Sequence, residues 1–409
     1  MCQNMPDRGY RGSYMRDKYD IIVVGAGPAG SVTAKTAAMR GCDVLMIEKR
    51  QEIGDPVRCA EGVAKPRIKR HIEPDERWIA AEVKGSRIFA PDGTSVELSE
   101  DVSGSEVGYV LERKLFDRTL ADAAAIAGAD VQVKTRATGL IMEDGYVKGI
   151  TAMHLGCEEV EVRSDIVIGA DGIESMIGRW AGIDTTLKPS DINTCAQFIV
   201  ADIDVDQDRC EFHLGSAVAP SGYLWVFPKG NRCANIGIGI GGNTCSQGKR
   251  PIDLLQDFVR TRYPDGKIIE LVVGGEPASG PIERTVANGL MLVGDAAHQV
   301  DPLTGGGIAN AMDAGSIAGD VAASAISDGD VSLERLQEYD AAWMEDFGKR
   351  LNRSLAVKDR FVSLTDADLN KLAHSVEGLD FATMDLFGLL VALIKKNPKT
   401  LWSLRKMFV

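Results

Sequence analysis

Three glycines, Gly25, Gly27 and Gly30, are spaced Gly-x-Gly-x-x-Gly between an apolar run, YDIIVV (19–24), and an alanine-rich one. That spacing suits a dinucleotide. The first glycine permits a tight turn, the second lets backbone approach a pyrophosphate, and the third lets a helix pack closely on a strand. The helix that follows offers unpaired N–H groups and a partial positive charge to the phosphates. Glu48 ends the next apolar run, CDVLMIEK (42–49), eighteen residues past Gly30. A carboxylate there can bind the hydroxyls of an adenosine ribose. Strand, turn, helix and carboxylate together predict an adenine dinucleotide site.

Other stretches carry chemistry of their own. LMLVGDAAHQVDPLTGGGIANAM (290–312) sets Asp295 at a strand end and then a glycine run, through Gly307 and Ile308, that opens a helix. GADG (169–172) follows a strand, with Ser175 and Arg179 beyond it, and Arg113 begins a helical pattern. PSGYLWVFP (220–228) places Tyr223, Trp225 and Phe227 at every second position, in a chain only 6% aromatic. Side chains alternate across a strand, so these three share a face and Leu224 and Val226 take the other. Two readings stand at this point: a core strand packed on a neighbouring sheet, or one wall of an apolar binding tunnel.

The elements that must position these residues follow from periodicity. Residues 19–49 form a strand–turn–helix–strand unit, the start of a parallel doubly wound sheet. Residues 82–98 predict a hairpin turning at PDG, and 113–127 a helix leading into the strand VQVKT. DIVIGAD (165–171) is a further strand. From 194 to 241 the pattern becomes a series of β runs without long helices between them, hence an antiparallel sheet and a second domain. LMLVG (290–294) returns to the buried parallel type, and the remainder is largely helical. The division expected is therefore a nucleotide domain in three pieces, 18–80, 108–182 and 285–330. A β-rich domain takes 81–107 and 183–284, a helical region takes 331–409, and residues 1–17 are an extension outside the fold. Met15 is an alternative start.

With 409 residues, 44% hydrophobic and 26% charged, the chain has the composition of an ordinary globular protein with a large core. A net charge of −13 argues against nucleic-acid binding. Eight scattered cysteines without a Cys-x-x-Cys pair, and no apolar leader, point to reduced thiols in the cytoplasm and no metal site. GIGIGG (237–242) lies among the β runs with no helical pattern after it, so it is not a second dinucleotide motif. No apolar run reaches the length of a membrane span. The last residues nevertheless join LFGLLVALI (386–394) to a tail holding Trp402, Phe408 and five basic side chains with no acidic one. Peripheral contact with an anionic membrane is expected, against the alternative of a helix docked on its own body.

At the Gly-x-Gly-x-x-Gly, Arg113, GADG and Gly-Asp positions the chain resembles the flavin-dependent monooxygenase and reductase superfamily, with the FAD fold of the p-hydroxybenzoate hydroxylase type. PVRCAEG (56–62) and the Pro-x-x-Tyr-x-Trp-x-Phe-Pro strand make it similar, within that superfamily, to geranylgeranyl reductases, and specifically to archaeal digeranylgeranylglycerophospholipid reductases. The resemblance runs from about residue 18 to the C-terminal helices. It implies an α/β fold: a Rossmann-like FAD-binding domain, an inserted antiparallel-sheet substrate domain and a helical C-terminal region. It implies FAD, with contacts falling on Ala29, Glu48, Cys59, Ala60, Gly62, Arg113, Ala137, Asp295, Gly307 and Ile308. It further implies reduction of isoprenoid C=C bonds, with Tyr223, Trp225 and Phe227 lining a tunnel for the chain. Electrons would come from NADPH, a reduced deazaflavin or ferredoxin.

An unactivated alkene also needs a proton, and Cys59, Tyr223 and His298 are the candidates to supply it. Arg58, next to Cys59, is expected to favour a thiolate, which is a poorer acid. Two other functions remain open. A flavin hydroxylase or halogenase uses the same fold, although halogenases carry Trp-x-Trp-x-Ile-Pro where this chain has Tyr223 and Phe227 at the outer positions. The other is a non-catalytic isoprenoid-lipid carrier.

Overall fold

The computed structural model describes residues 15–99, 107–245 and 248–376. Its nucleotide-side sheet has eight strands. Leu290–Leu292, Glu158–Gly169, Lys18–Val24, Val44–Ile47 and Asp130–Gln132 run parallel in that order, with Val286–Ala287 antiparallel at one edge. Alternation sorts the central strand: Ile21 and Val23 face one layer, Ile22 and Val24 the other. The first layer is helical. Helix Pro28–Met39 lies against Ile308–Asp328 and Arg113–Ile126, and alanines such as Ala34, Ala37, Ala314 and Ala318 let the helices approach closely.

The second layer corrects the doubly wound expectation. A three-stranded antiparallel meander covers that face, made of Thr135–Glu143, Tyr146–His154 and the first half of Glu158–Gly169. Val147, Ile150, Ala152 and Val162 supply the apolar surface that a helix would otherwise provide. Residues 15–17, placed in an extension by sequence, are also part of the fold: Arg16 pairs with Asp43, and Arg163 N–H donates to the Asp17 carbonyl at 2.8 Å.

The second sheet has seven strands, ordered Lys267–Pro277, Ile192–Ala201, Cys233–Gly241, Tyr223–Pro228, Arg209–His213, Gly85–Phe89 and Ser95–Ser99. It is mixed, not antiparallel throughout, because Arg209–His213 pairs parallel with Gly85–Phe89. That pair joins segments far apart in sequence, so no hairpin turn dictates its direction. The PDG hairpin forms as expected, with Phe89 opposite Ser95. Ile79–Glu82 instead joins Gly62–Val63 and Tyr109–Leu111 in a small third sheet.

In the aromatic strand, Leu224 and Val226 enter a core with Ile236, Ile238, Ile240 and the helix Pro251–Arg262. Tyr223, Trp225 and Phe227 take the opposite face. The neighbouring strand answers them: Gly239 lies opposite Tyr223 and Gly237 opposite Trp225. A Cβ on Gly237 would stand 2.2 Å from the indole, so the glycines of GIGIGG clear room for aromatic rings. Helices Leu333–Trp343, Lys349–Phe361 and Asp366–Val376 close the described chain. Among the described residues no helix is long and apolar enough to cross a membrane. LFGLLVALI and the basic tail lie outside the described residues.

Candidate active site

Two cavities meet where the sheets converge. A cleft of about 730 Å³ runs along the C-terminal ends of the parallel strands, past Gly25, Glu48 and Ala137. A cavity of about 310 Å³ continues it toward the second sheet, and Gly27, Arg113, Ala170 and Asp295 line both. The cleft opens where the central strand has neighbours leading to opposite sides, the switch point at which such sheets bind ligands. Gly25 adopts φ +111°, and a Cβ there would lie 2.2 Å from the Ala170 carbonyl oxygen. Gly30 does not line either cavity. It lets the helix settle on the turn, since its Cβ would meet the Gly25 carbonyl oxygen at 1.9 Å.

The polar groups facing this space fit FAD. A Cβ on Gly27 would meet nothing within 4 Å, which leaves the first turn of Pro28–Met39 open to a phosphate. Glu48 caps the turn, accepting from Ala26 N–H at 3.2 Å and Arg50 N–H at 3.0 Å, and still lines the cleft. Asp171 accepts from Ile177 N–H at 3.0 Å through one oxygen, while its buried Oδ1 has no partner among the described residues. The Asp295 carboxylate likewise has no hydrogen-bond partner there. Burial pushes its carboxyl up and Arg113 pulls it partly back. Burial works against the Arg113 charge, but Asp117, bonded at 2.8 Å, and nearby Glu61 more than offset it, so the guanidinium stays charged. Gly307 caps helix Ile308–Asp328, whose N-terminus points its partial positive charge into the smaller cavity.

The other wall is aromatic. Tyr223, Trp225 and Phe227 line the 310 Å³ cavity together with Cys59, Ala60 and Gly62. Tyr223 and Trp225 meet edge to face at 5.9 Å, and Phe212 packs on both outer rings. Side chains from the second sheet grip the 59–62 loop. Trp225 Nε1 donates to Gln197 Oε1 at 2.9 Å, and Gln197 Nε2 donates to the Cys59 carbonyl at 3.0 Å. Asn235 donates to the Ala60 carbonyl at 3.2 Å and to Glu61 at 2.5 Å. Glu61 also pairs with Lys229 at 2.6 Å, both side chains only 4% exposed.

These gripping residues escaped the sequence reading. A lone polar residue in an apolar strand, Gln197 in AQFIV, was the available signal. Glu276, which also faces the cavity, lacked even that.

The three proton-donor candidates separate. Cys59 faces the cavity, which Arg58 also lines, but the Arg58 guanidinium pairs with Glu174 at 3.8 Å. Burial pushes the Cys59 thiol up and Arg113 only partly offsets it, so the residue is a thiol and not the expected thiolate. Tyr223 lines the cavity, with its hydroxyl donating to the Thr304 carbonyl. His298 lies outside the cavity lining: its Nδ1 contacts Ser279 Oγ at 3.2 Å, and burial lowers its pKa. It caps the turn after Gly294–Ala297 in a left-handed conformation, φ +54°.

Residues 191–275 match the family described as geranylgeranyl reductase catalytic domain, and residues 20–221 match FAD dependent oxidoreductase. A digeranylgeranylglycerophospholipid reductase of Methanococcoides burtonii is 62% identical, over 96% of this chain and 97% of its own. One from Methanosarcina mazei is 61% identical over the same shares. Among solved structures, a geranylgeranyl bacteriochlorophyll reductase-like protein from Thermoplasma acidophilum superposes with a TM-score of 0.91 at 42% identity, covering 96% of this chain and all of its own. A flavin-dependent brominase, at 16% identity and a TM-score of 0.71 over 93% and 94% of the two chains, shares the fold alone.

Proposed function

The chain belongs to the digeranylgeranylglycerophospholipid reductase family, and on that premise we propose that it hydrogenates the isolated C=C bonds of geranylgeranyl chains in archaeal membrane-lipid precursors. It is an FAD-dependent oxidoreductase. The observation that carries the reading is the shared cavity: an aromatic wall faces, across one space, the residues suited to hold a dinucleotide.

Gly27 and the first turn of its helix would receive the pyrophosphate, Asp295 the ribitol, and Glu48 the adenosine ribose. Arg113 and the N-terminus of Ile308–Asp328 would stabilise negative charge on the reduced cofactor bound there. FAD, once reduced, supplies the hydride. An isoprenoid offers only C–H surface, so Tyr223, Trp225 and Phe227 hold it by burial and exclude water from the reacting bond. Their faces also attract the positive charge that develops on an alkene carbon as a proton arrives. Fixing that bond in line is the main contribution left to a protein whose substrate has no oxyanion to stabilise.

Electrons enter from an external reductant: NADPH, a reduced deazaflavin or ferredoxin. The enzyme works in the cytoplasm, touching the membrane that holds its substrate. Dithionite-reduced protein, incubated without oxygen with unsaturated archaeal lipid, tests the reading by mass spectrometry. Each double bond consumed adds two hydrogens. A product containing oxygen or halogen instead sinks it in favour of a hydroxylase or halogenase, and no turnover at all favours a lipid carrier.

A further inference from the structure

A third cavity, of about 210 Å³, adjoins the first behind the aromatic strand. Tyr223, Trp225 and Glu276 line both, so they form the partition between the two spaces. Glu276 is the only acidic member of that partition. Its position comes from the edge strand Lys267–Pro277, where Glu276 pairs with Asn193 on Ile192–Ala201. Asn193 Nδ2 donates to Oε1 at 3.0 Å, which fixes one oxygen. The other, Oε2, has no hydrogen-bond partner among the described residues. It lies against Gly305, whose φ is +75° and whose Cβ, if present, would stand 2.6 Å from that oxygen. A side chain at 305 would oblige the Glu276 carboxyl to shift.

We propose that Glu276 is the acid that protonates the alkene. The proposal rests on the reductase reading above. One alkene carbon receives the hydride and its electron pair from the reduced cofactor, which is oxidised. The other carbon receives the proton from Glu276, so the π bond breaks, two C–H bonds form, and a carboxylate remains. Water restores the proton once the product has left.

Several groups bear on this carboxyl. Burial pushes its pKa up; Asn193, from the adjoining strand, opposes that, Asp295 and Asp301 add to it, and Lys358 on helix Lys349–Phe361 pulls it down. Cys195, on the Asn193 strand, is itself held well above the usual thiol range and so stays neutral. The net direction is upward, toward the protonated form that can donate. Of the other candidates, the Tyr223 hydroxyl is committed to the Thr304 carbonyl and His298 is outside the cavity, which leaves the Cys59 thiol, accepting from Glu61 N–H at 3.2 Å, as the one competing donor.

The test compares wild type with E276Q, both checked for FAD content and melting temperature. A positioned acid contributes roughly 10²–10⁴-fold, so kcat should fall at least tenfold in E276Q while lipid KM and FAD affinity hold. Wild-type turnover should also decline as pH rises through the Glu276 pKa, and E276Q should lack that limb. Independently of turnover, infrared spectra should show a protonated-carboxyl C=O band persisting above the ordinary glutamate range in wild type, with and without FAD, and missing from E276Q. An active wild type with E276Q within threefold of it, or the absence of that band, overturns the assignment. A wild type that hydrogenates nothing overturns the reductase reading and this assignment with it.

Discussion

Asp295 is the residue at which cofactor retention is most directly tested. Its carboxylate faces both cavities with no hydrogen-bond partner among the described residues, so Asp295→Ala should leave the fold intact and weaken FAD binding by about 1.5–3 kcal/mol, the value of a lost hydrogen bond to a charged group. Titration of apoprotein with FAD measures this; unchanged affinity would remove Asp295 from the cofactor site. Cys59 makes a pH-dependent prediction. Burial raises its pKa, so the neutral thiol persists at pH values where an ordinary thiol has begun to ionise. Alkylation of apoprotein, scored as the difference between wild type and Cys59→Ala, should be slow near neutrality and accelerate only above the usual thiol range. Fast alkylation at neutral pH would restore the thiolate that Arg58 suggested. The sequence set these two groups beside a glycine turn and an arginine. Only the fold showed that Arg58 pairs with Glu174 and that Arg113, a different arginine, acts on the sulfur.

At the scale of elements, the aromatic strand and the 59–62 loop act as one unit, because Gln197 ties the Trp225 indole to the Cys59 carbonyl. Trp225→Ala removes an anchor of the loop and part of the lipid wall. Loss of a buried aromatic costs about 3–5 kcal/mol, so turnover is to be measured per folded, FAD-containing molecule. We expect it to fall much further than FAD content does. Full activity per folded molecule would assign the strand to the core and nothing more. Lys229 anchors the same loop from its far side. Lys229→Met leaves Glu61 buried without its cation, and removing one partner of a buried pair costs about 3–5 kcal/mol. Thermal and denaturant unfolding should both record that loss, and a wild-type-like midpoint would mean that Asn235 and the Arg113 N–H suffice for Glu61.

For the molecule as a whole, the lipid substrate sets the problem, since a molecule with two isoprenoid tails must be drawn from a bilayer. Each basic residue near an anionic surface contributes about 1 kcal/mol, opposed here by the acidic body. Neutralising Lys395, Lys396, Lys399, Arg405 and Lys406 should therefore weaken a salt-sensitive association with anionic vesicles. Activity on vesicle-embedded lipid should fall with it, and activity on a short, detergent-dispersed isoprenoid should survive. Equal loss on both substrates would give the tail a structural role. Short stretches of residues were enough to specify the dinucleotide turn, the Gly-Asp motif and the shared face of Tyr223, Trp225 and Phe227. Each of these depends on local backbone geometry or on period-two alternation, which a short stretch of residues carries alone. The meander that replaces a second helical layer, the parallel pairing of Arg209–His213 with Gly85–Phe89, and the third sheet were decided by tertiary structure. Strand partners distant in sequence are chosen by which apolar faces remain to be covered, and no local pattern records that choice. The same reason hid Glu276 and Gln197: a polar side chain in a strand acquires a chemical role only when another part of the chain closes a cavity over it.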